Sequence, residues 1–191
     1  MKKRRTPKIY LDTSIIRELI EKENPDLVNL MCTIKDRKWK CFTSTFGILE
    51  LSELKKDDIY LHKKVKEKLE YKEIIRNKDK KTLDANDFKM VKTYISKFLN
   101  NYPYFSTYQI PNFAWTDAST ITLNSNIHSF DAIHLAAAVH SGTDILITKD
   151  EHFIKEARNL LKKYNFDKKL KVVFPKDVYN SLSELGFGFN K

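Results

Sequence analysis

The chain has 191 residues, and 41% of them are hydrophobic, which is enough for one domain with a substantial core. Lys and Arg outnumber Asp and Glu by 35 to 25, so the formal net charge is +10 and nucleic acid is a plausible partner, although the lysines could equally serve solubility alone. Glycine occurs only four times and no glycine-rich phosphate loop is present, which argues against P-loop and dinucleotide enzymes.

Cysteine usage and hydropathy indicate a cytoplasmic protein. Cys32 and Cys41 are the only cysteines and no CxxC motif or Cys/His cluster accompanies them, so we expect reduced thiols rather than a disulfide or a metal site. The basic N-terminal segment has no apolar stretch behind it, so no secretory signal is expected. No apolar run approaches the roughly 18 residues of a membrane span, so no contact with a membrane is expected.

The first part of the chain alternates strand and helix patterns. Residues 8–12 (KIYLD) predict a strand, and the helical spacing of Ile15, Ile16 and Leu19 predicts a helix directly after it. A second helix is predicted after Pro25. Residues 40–44 predict another strand, followed by a helix that Ser44 or Thr45 opens.

A lysine-rich stretch follows, and it lacks glycine and proline. Between residues 55 and 101 there are 14 Lys and Arg residues and 8 Asp and Glu residues, a local charge of +6. Apolar residues recur there at helical spacing, which predicts two helices with a break near Asn77–Lys81. We interpret residues 55–110, approximately, as a helical insertion.

The last third of the chain returns to alternation. A helix is predicted over 113–126, another from Asp131 to its C-cap at Gly142, a strand within 144–150 and a helix after Asp150. A final strand over 170–175 and a helix ending at Gly186 complete the pattern. Strands separated by helices indicate a parallel sheet with helices on both faces, so we expect one α/β domain over 1–191, a three-layer α/β/α sandwich with a helical insertion.

Four acidic residues follow strands or open helices in this arrangement: Asp12, Glu50, Asp131 and Asp150. In open α/β sheets ligands bind at the carboxyl ends of the strands, so we expect the four to share one edge. Each has an ordinary alternative role, as a helix cap or as a surface residue. Together they would repel one another and need a compensating cation, and hard oxygen ligands favour Mg²⁺ or Mn²⁺.

The histidines do not suggest a zinc site. His128, His134 and His140 are six residues apart, a spacing that places them on different faces of a helix. A phosphoryl-transfer enzyme with an aspartyl nucleophile is also disfavoured, because that type has a second aspartate two residues after the first and Ser14 occupies this position.

The segments around the four acids carry a family resemblance. IYLDTSII, TSTFGILEL, SFDAIHLAAA and ILITKDEHF resemble, in order and spacing, the successive motifs of the PIN-domain ribonucleases, which include the VapC toxins of toxin–antitoxin pairs. The motifs span residues 8–153, and the stretch between the second and third acids is longer than in the compact toxins. The resemblance implies a PIN-like fold and a metal-dependent endoribonuclease that leaves 5′-phosphate and 3′-hydroxyl ends.

The resemblance also assigns residues. Asp12, Glu50, Asp131 and Asp150 would be the catalytic acids and would hold one or two Mg²⁺ or Mn²⁺ ions. The small hydroxyl residues near the metal would be Ser14 or Thr13, together with Thr148. An antitoxin protein and a homodimer are further partners that the family implies. The alternative is a PIN-like module without catalysis that serves as a nucleic-acid-binding or interaction scaffold.

The basic residues are candidates for RNA binding, because phosphate contacts would offset the repulsion of the acidic pocket. The candidates are Lys2, Lys3, Arg4 and Arg5 at the N-terminus and Lys63 and Lys64 in the insertion. Tyr60, Tyr71 and Tyr94 lie among the lysines and could stack on unpaired bases, with packing between helices as the competing role.

Overall fold

A five-stranded, all-parallel sheet forms the centre of the protein. The structure, a computed structural model, describes residues 5–21, 24–78 and 82–188. The strands are β1 (Lys8–Leu11), β2 (Lys40–Ser44), β3 (Phe105–Tyr108), β4 (Ile145–Ile147) and β5 (Lys171–Val173). Their spatial order is β3-β2-β1-β4-β5, and every neighbouring pair is parallel.

Helices flank this sheet on both faces. They are α1 (Thr13–Glu21), α2 (Pro25–Asp36), α3 (Thr45–Lys66), α4 (Tyr71–Arg76), α5 (Ala85–Asn101), α6 (Asn112–Asn124), α7 (Ser129–His140), α8 (Glu151–Lys163) and α9 (Val178–Glu184), with a 3₁₀ turn at Pro175–Asp177. The predicted three-layer α/β/α architecture is confirmed. All the strands and helices predicted outside the insertion are present, within a few residues of their predicted bounds.

Side chains along each strand alternate between two hydrophobic cores, as the two-residue period of a strand requires. In β1, Ile9 and Leu11 enter a core with α1, α2 and α9, whereas Tyr10 enters a core with α6, α7 and α8. In β4, Leu146 joins Tyr10, and its two neighbours join the opposite core. The central strands are therefore buried on both faces, which explains why their sequences are continuously apolar.

The lysine-rich segment contains more elements than predicted. Helix α3 runs on to Lys66, where Glu67 caps it and Lys68 adopts a left-handed conformation with φ of 58°. The short α4 and the longer α5 follow. The predicted break near Asn77–Lys81 lies between α4 and α5, although residues 79–81 lie outside the described part of the chain.

Strand β3 is absent from the sequence-based prediction. It has only four residues, lies between two prolines and pairs along one edge with β2 alone. A short strand with a half-exposed side-chain pattern has too few positions to show a clear two-residue period. Its position at the sheet edge therefore became visible only in the structure.

Two further findings concern the cysteines and the hydrophobicity of the helices. Both Cys32 and Cys41 are free thiols, and burial of Cys41 raises its pKa. Among the helices formed by the described residues, none combines the length and the hydrophobicity that a bilayer crossing needs.

Candidate metal centre

The four predicted acids lie around the point where the strand order reverses. Strands β1 and β4 are neighbours in space. After β1 the chain continues to β2 on one side of this pair, and after β4 it continues to β5 on the other side. Such a switch point opens a crevice at the carboxyl ends of the two strands. Asp12 follows β1 there, and Thr148 follows β4.

Asp12 is a buried carboxylate with a donor on each of its oxygens. Its backbone N–H continues the sheet by donating to Ile147 O at 3.0 Å. Oδ1 accepts from the backbone N–H of Thr13 at 2.7 Å, and Oδ2 accepts from Ser14 Oγ at 2.8 Å and from Thr148 Oγ1 at 2.7 Å. The three hydroxyl residues that the family resemblance placed near the metal thus all lie in this region.

Glu50 reaches the same point from helix α3. Ser44 caps this helix by accepting from the N–H of Gly47 at 3.1 Å, as one of the two predicted starts requires. Glu50 Oε2 accepts from Thr13 Oγ1 at 2.5 Å and from His134 Nε2 at 2.8 Å. Burial would raise the pKa of Glu50, but the hydrogen bond and the charge of His134, together with the Thr13 bond, lower it below its ordinary value.

Asp131 and Asp150 approach from the helices α7 and α8. Asp131 lies in the first turn of α7, and its pKa is raised to about 6 by burial and then by the negative charges of Asp12, Asp150 and Glu50, which His134 partly opposes. Asp150 is the N-cap of α8, where Oδ1 accepts from the N–H of Phe153 at 2.8 Å. Its side chain is exposed, so Asp150 stands at the rim of the acidic cluster and also fills the capping role considered as its alternative.

His134 is a member of the cluster that sequence reasoning missed. Its side chain is 1% exposed, and Nε2 lies 2.8 Å from Glu50 Oε2 and 3.4 Å from Asp12 Oδ1. The spacing of the histidines relative to one another carries no sign of this position. The useful signal was the three-residue step from Asp131 to His134, which places both on one face of α7.

The charge of His134 does not balance the cluster. Burial would lower the pKa of His134, but Tyr10, the hydrogen bond that His134 donates to Glu50 and the charges of Asp12 and Glu50 raise it well above its ordinary value. Even with a protonated His134, the four carboxyl groups of Asp12, Glu50, Asp131 and Asp150 leave negative charge in excess, which a bound cation would compensate.

The donor atoms of Asp12 and Glu50 are also close enough to share a cation. One carboxylate oxygen of each lies within 4.8 Å of the other, and a ring nitrogen of His134 lies within the same distance of both. Oxygen donors dominate the set, and hard carboxylate oxygens suit Mg²⁺ and Mn²⁺. The residues present therefore fit the ion that the family resemblance implies.

The predicted RNA-binding residues already have partners wherever the structure describes them. Arg5 forms an ion pair with the buried Asp144, Lys63 pairs with Asp84 and Asp87, and Lys64 pairs with Glu67. Lys2, Lys3 and Arg4 lie outside the described residues. The role of these basic residues in binding RNA stays a prediction.

The tyrosines of the insertion differ in their exposure. Tyr60 is buried and donates to Ile74 O at 3.2 Å, so it packs between α3 and α4. Tyr94 is half-buried, with Lys55 Nζ 4.7 Å from its ring centre. Tyr71 is 74% exposed and is the member of this set that a base could reach.

A cavity of about 630 Å³ lies at the opposite edge of the sheet, where the strands begin. Thr6, Trp39 and Asp144 are among its lining residues, and the four acids are not. The four acids lie at the other edge of the sheet, where the strands end.

Comparison with known proteins adds no assignment to this geometry. The chain matches no protein-family model, and a search of curated proteins gave no match.

Proposed function

We propose that this protein is a metal-dependent endoribonuclease of the PIN type that hydrolyses RNA phosphodiester bonds. Asp12, Glu50 and Asp131 would hold one or two Mg²⁺ or Mn²⁺ ions, and Asp150 would complete the site from its rim. The observation that carries the proposal is the convergence of these acids, from four separate segments, at the switch point of the sheet with negative charge in excess.

The main role of the protein's own side chains would be to orient the acids. A divalent cation held at this site would act as a Lewis acid that polarises the phosphodiester and makes water a better nucleophile. Ser14 and Thr148 fix Asp12 through its Oδ2, and Thr13 fixes Glu50 through its Oε2. No protein nucleophile is proposed, because oriented acids and a cation are sufficient for phosphodiester hydrolysis.

The cellular context follows from the same resemblance. We propose that the protein acts in the cytoplasm as the toxin of a toxin–antitoxin pair, with an antitoxin protein and a second copy of the chain as partners. The two free cysteines are compatible with a reducing compartment. The uncompensated acids at the carboxyl edge of the sheet are a surface that a basic antitoxin segment would complement.

Cleavage of RNA tests the activity directly. Wild-type protein is incubated with total cellular RNA in Mg²⁺, in Mn²⁺ and in EDTA, and the product ends are analysed. We expect cleavage with either metal, none in EDTA, and 5′-phosphate products. Asp131→Asn should lower the rate by at least about 100-fold, since even residues that only orient metal ligands typically contribute 10–100-fold.

Asp117→Asn is the matched control for this substitution. Asp117 is an exposed carboxylate of α6 that pairs with His140, so its loss should leave cleavage unchanged. Absence of cleavage by the wild type, together with no Mn²⁺ binding in calorimetry, would favour the scaffold alternative instead.

A further inference from the structure

His134 links the candidate metal centre to the interior of the sheet. Nε2 lies 2.8 Å from Glu50 Oε2, and Nδ1 lies 2.8 Å from the hydroxyl oxygen of Tyr10. The ring also packs edge-on against Phe46, at 5.5 Å between ring centres, and against Tyr10 at 5.7 Å. The imidazole is therefore held on both nitrogens and by its neighbours.

Tyr10 fixes the ring through Nδ1. Tyr10 is fully buried in β1, and its hydroxyl donates to Ser44 Oγ at 2.8 Å and accepts from the N–H of Ser44 at 3.2 Å. These two bonds hold the hydroxyl oxygen in place 2.8 Å from Nδ1, so the contact orients the imidazole whichever of the two atoms carries the shared proton.

The ring nitrogen that faces Glu50 carries a proton. A carboxylate oxygen offers only lone pairs, so a contact of 2.8 Å between Nε2 and Glu50 Oε2 needs a proton between the two atoms. A nitrogen that donates its proton has no lone pair left for a cation. Glu50 Oε2 also accepts from Thr13, which leaves Oε1 as the oxygen of Glu50 available to a metal ion.

We propose that His134 is a positioning residue of the metal centre, which Tyr10 orients and which holds Glu50 beside Asp12 without itself coordinating the cation. This inference rests on the proposed function, because it assigns a role within the same site. Without His134, the partly exposed Glu50 would keep only its Thr13 bond and would be repelled by Asp12 and Asp131. It would then turn toward solvent, and the cation would lose a ligand.

The first test measures Mn²⁺ affinity by calorimetry on the full chain without RNA. His134→Leu, which has similar bulk and no donor, should weaken binding about 10–100-fold, the usual cost of losing a residue that orients a metal ligand. His134→Gln keeps an N–H donor near the position of Nε2 and should remain within about 3-fold of the wild type. Unchanged affinity in a folded His134→Leu variant would overturn the proposal.

The second variant tests the role of Tyr10 and does not depend on the folding of His134→Leu. Tyr10→Phe keeps the ring and removes the hydroxyl, so Mn²⁺ affinity should fall about 2–10-fold, the equivalent of one hydrogen bond. Tyr179→Phe is the matched control, because that hydroxyl contacts Thr33 on the helix α2 and should leave affinity unchanged. Equal affinities in the two tyrosine variants would contradict the proposed orientation by Tyr10.

Pulsed electron paramagnetic resonance of the Mn²⁺-loaded protein separates positioning from coordination. We expect no ¹⁴N coupling from an imidazole in the wild type. A ¹⁴N coupling that His134→Leu abolishes would show direct coordination and would overturn the inference. Mn²⁺ binding with these properties but without RNA cleavage would refute the proposed activity alone, whereas absence of Mn²⁺ binding in the wild type would refute both.

Discussion

At the scale of single residues, the acidic cluster combines carboxylates that differ in their environment. Glu50 is stabilised as an anion by His134 and Thr13, whereas Asp131 is disfavoured as an anion by burial and by the neighbouring acids. Ionised Asp131 therefore destabilises the folded protein when no cation is bound. This destabilisation can be measured by unfolding experiments before any substrate is known.

Removing the charge of Asp131 should stabilise the cation-free protein at alkaline pH. The folded pKa of about 6 exceeds the ordinary value of 3.8, so the contribution of Asp131 to stability is full below about pH 4 and is lost as pH rises through 6. The shift corresponds to about 3 kcal/mol, which partial exposure to solvent reduces to about 1–2 kcal/mol. Asp131→Asn should therefore unfold at a higher temperature than the wild type at pH 8 in EDTA.

The same thermal measurement at pH 4 provides the internal control, because the wild-type carboxyl is then largely protonated and the difference should shrink. Addition of Mn²⁺ at pH 8 should raise the unfolding temperature of the wild type and remove the advantage of the variant. An Asp131→Asn variant that unfolds at a lower temperature than the wild type at pH 8 would show that Asp131 is not held against like charges.

At the scale of elements, the approach of α3 to β2 sets the position of Glu50. The first turn of α3 contains Gly47, whose N–H donates to Ser44 Oγ. A Cβ at this position would lie 2.5 Å from Thr43 Oγ1 and 3.3 Å from His134 Cε1. The close packing of α3 against both β2 and α7 therefore requires glycine here. Backbone conformation is not the reason, because the φ of Gly47 does not lie in the left-handed region.

Gly47→Ala should destabilise the protein although alanine favours helix. The gain in helix propensity is about 1 kcal/mol, and overpacking at a buried site costs about 1–3 kcal/mol, so we expect a net loss together with weaker Mn²⁺ binding. Urea unfolding of Gly47→Ala, Thr43→Ala and the double variant measures the effect. Removal of Thr43 Oγ1 makes room for the new methyl group, so the double variant should recover about 0.5–3 kcal/mol relative to the sum of the single changes. Additive losses would mean that Thr43 does not limit the approach of α3.

At the scale of the whole molecule, local patterns predicted much of the architecture but not its tertiary detail. Strands β1, β2, β4 and β5 were predictable because each is an apolar run followed by a helix with a clear apolar face. Because ligands bind at the carboxyl ends of the strands in open α/β sheets, the sequence also predicted that the four acids lie at one edge. The short edge strand β3 and the contact of His134 with Glu50 depend on pairings across 64 or more residues, which local periodicity does not report.

The lysine-rich segment shows the same limit, because the sequence predicted a helical insertion but not how it packs against the sheet. Phe98 of α5 is fully buried in the core that contains Ile9 and Leu11 of β1. Its ring lies 4.8 Å from that of Phe105 in β3 and 5.3 Å from that of Tyr102. Helix α5 therefore anchors the edge strand of the sheet.

This packing predicts that the insertion and the sheet unfold together. Phe98→Ala should lower the free energy of unfolding by about 3–5 kcal/mol, the usual cost of removing a fully buried phenylalanine. Phe88→Ala is the matched control in the same helix, since Phe88 is 59% exposed and its loss should change stability by less than about 0.5 kcal/mol.

Circular dichroism at 222 nm reports mainly the helices, and tryptophan fluorescence reports Trp39 beside β2 and Trp115 in α6, both outside the insertion. Coincident urea transitions from the two signals would establish one cooperative unit, because a separately folded insertion would lose its helical signal at a different urea concentration from the sheet.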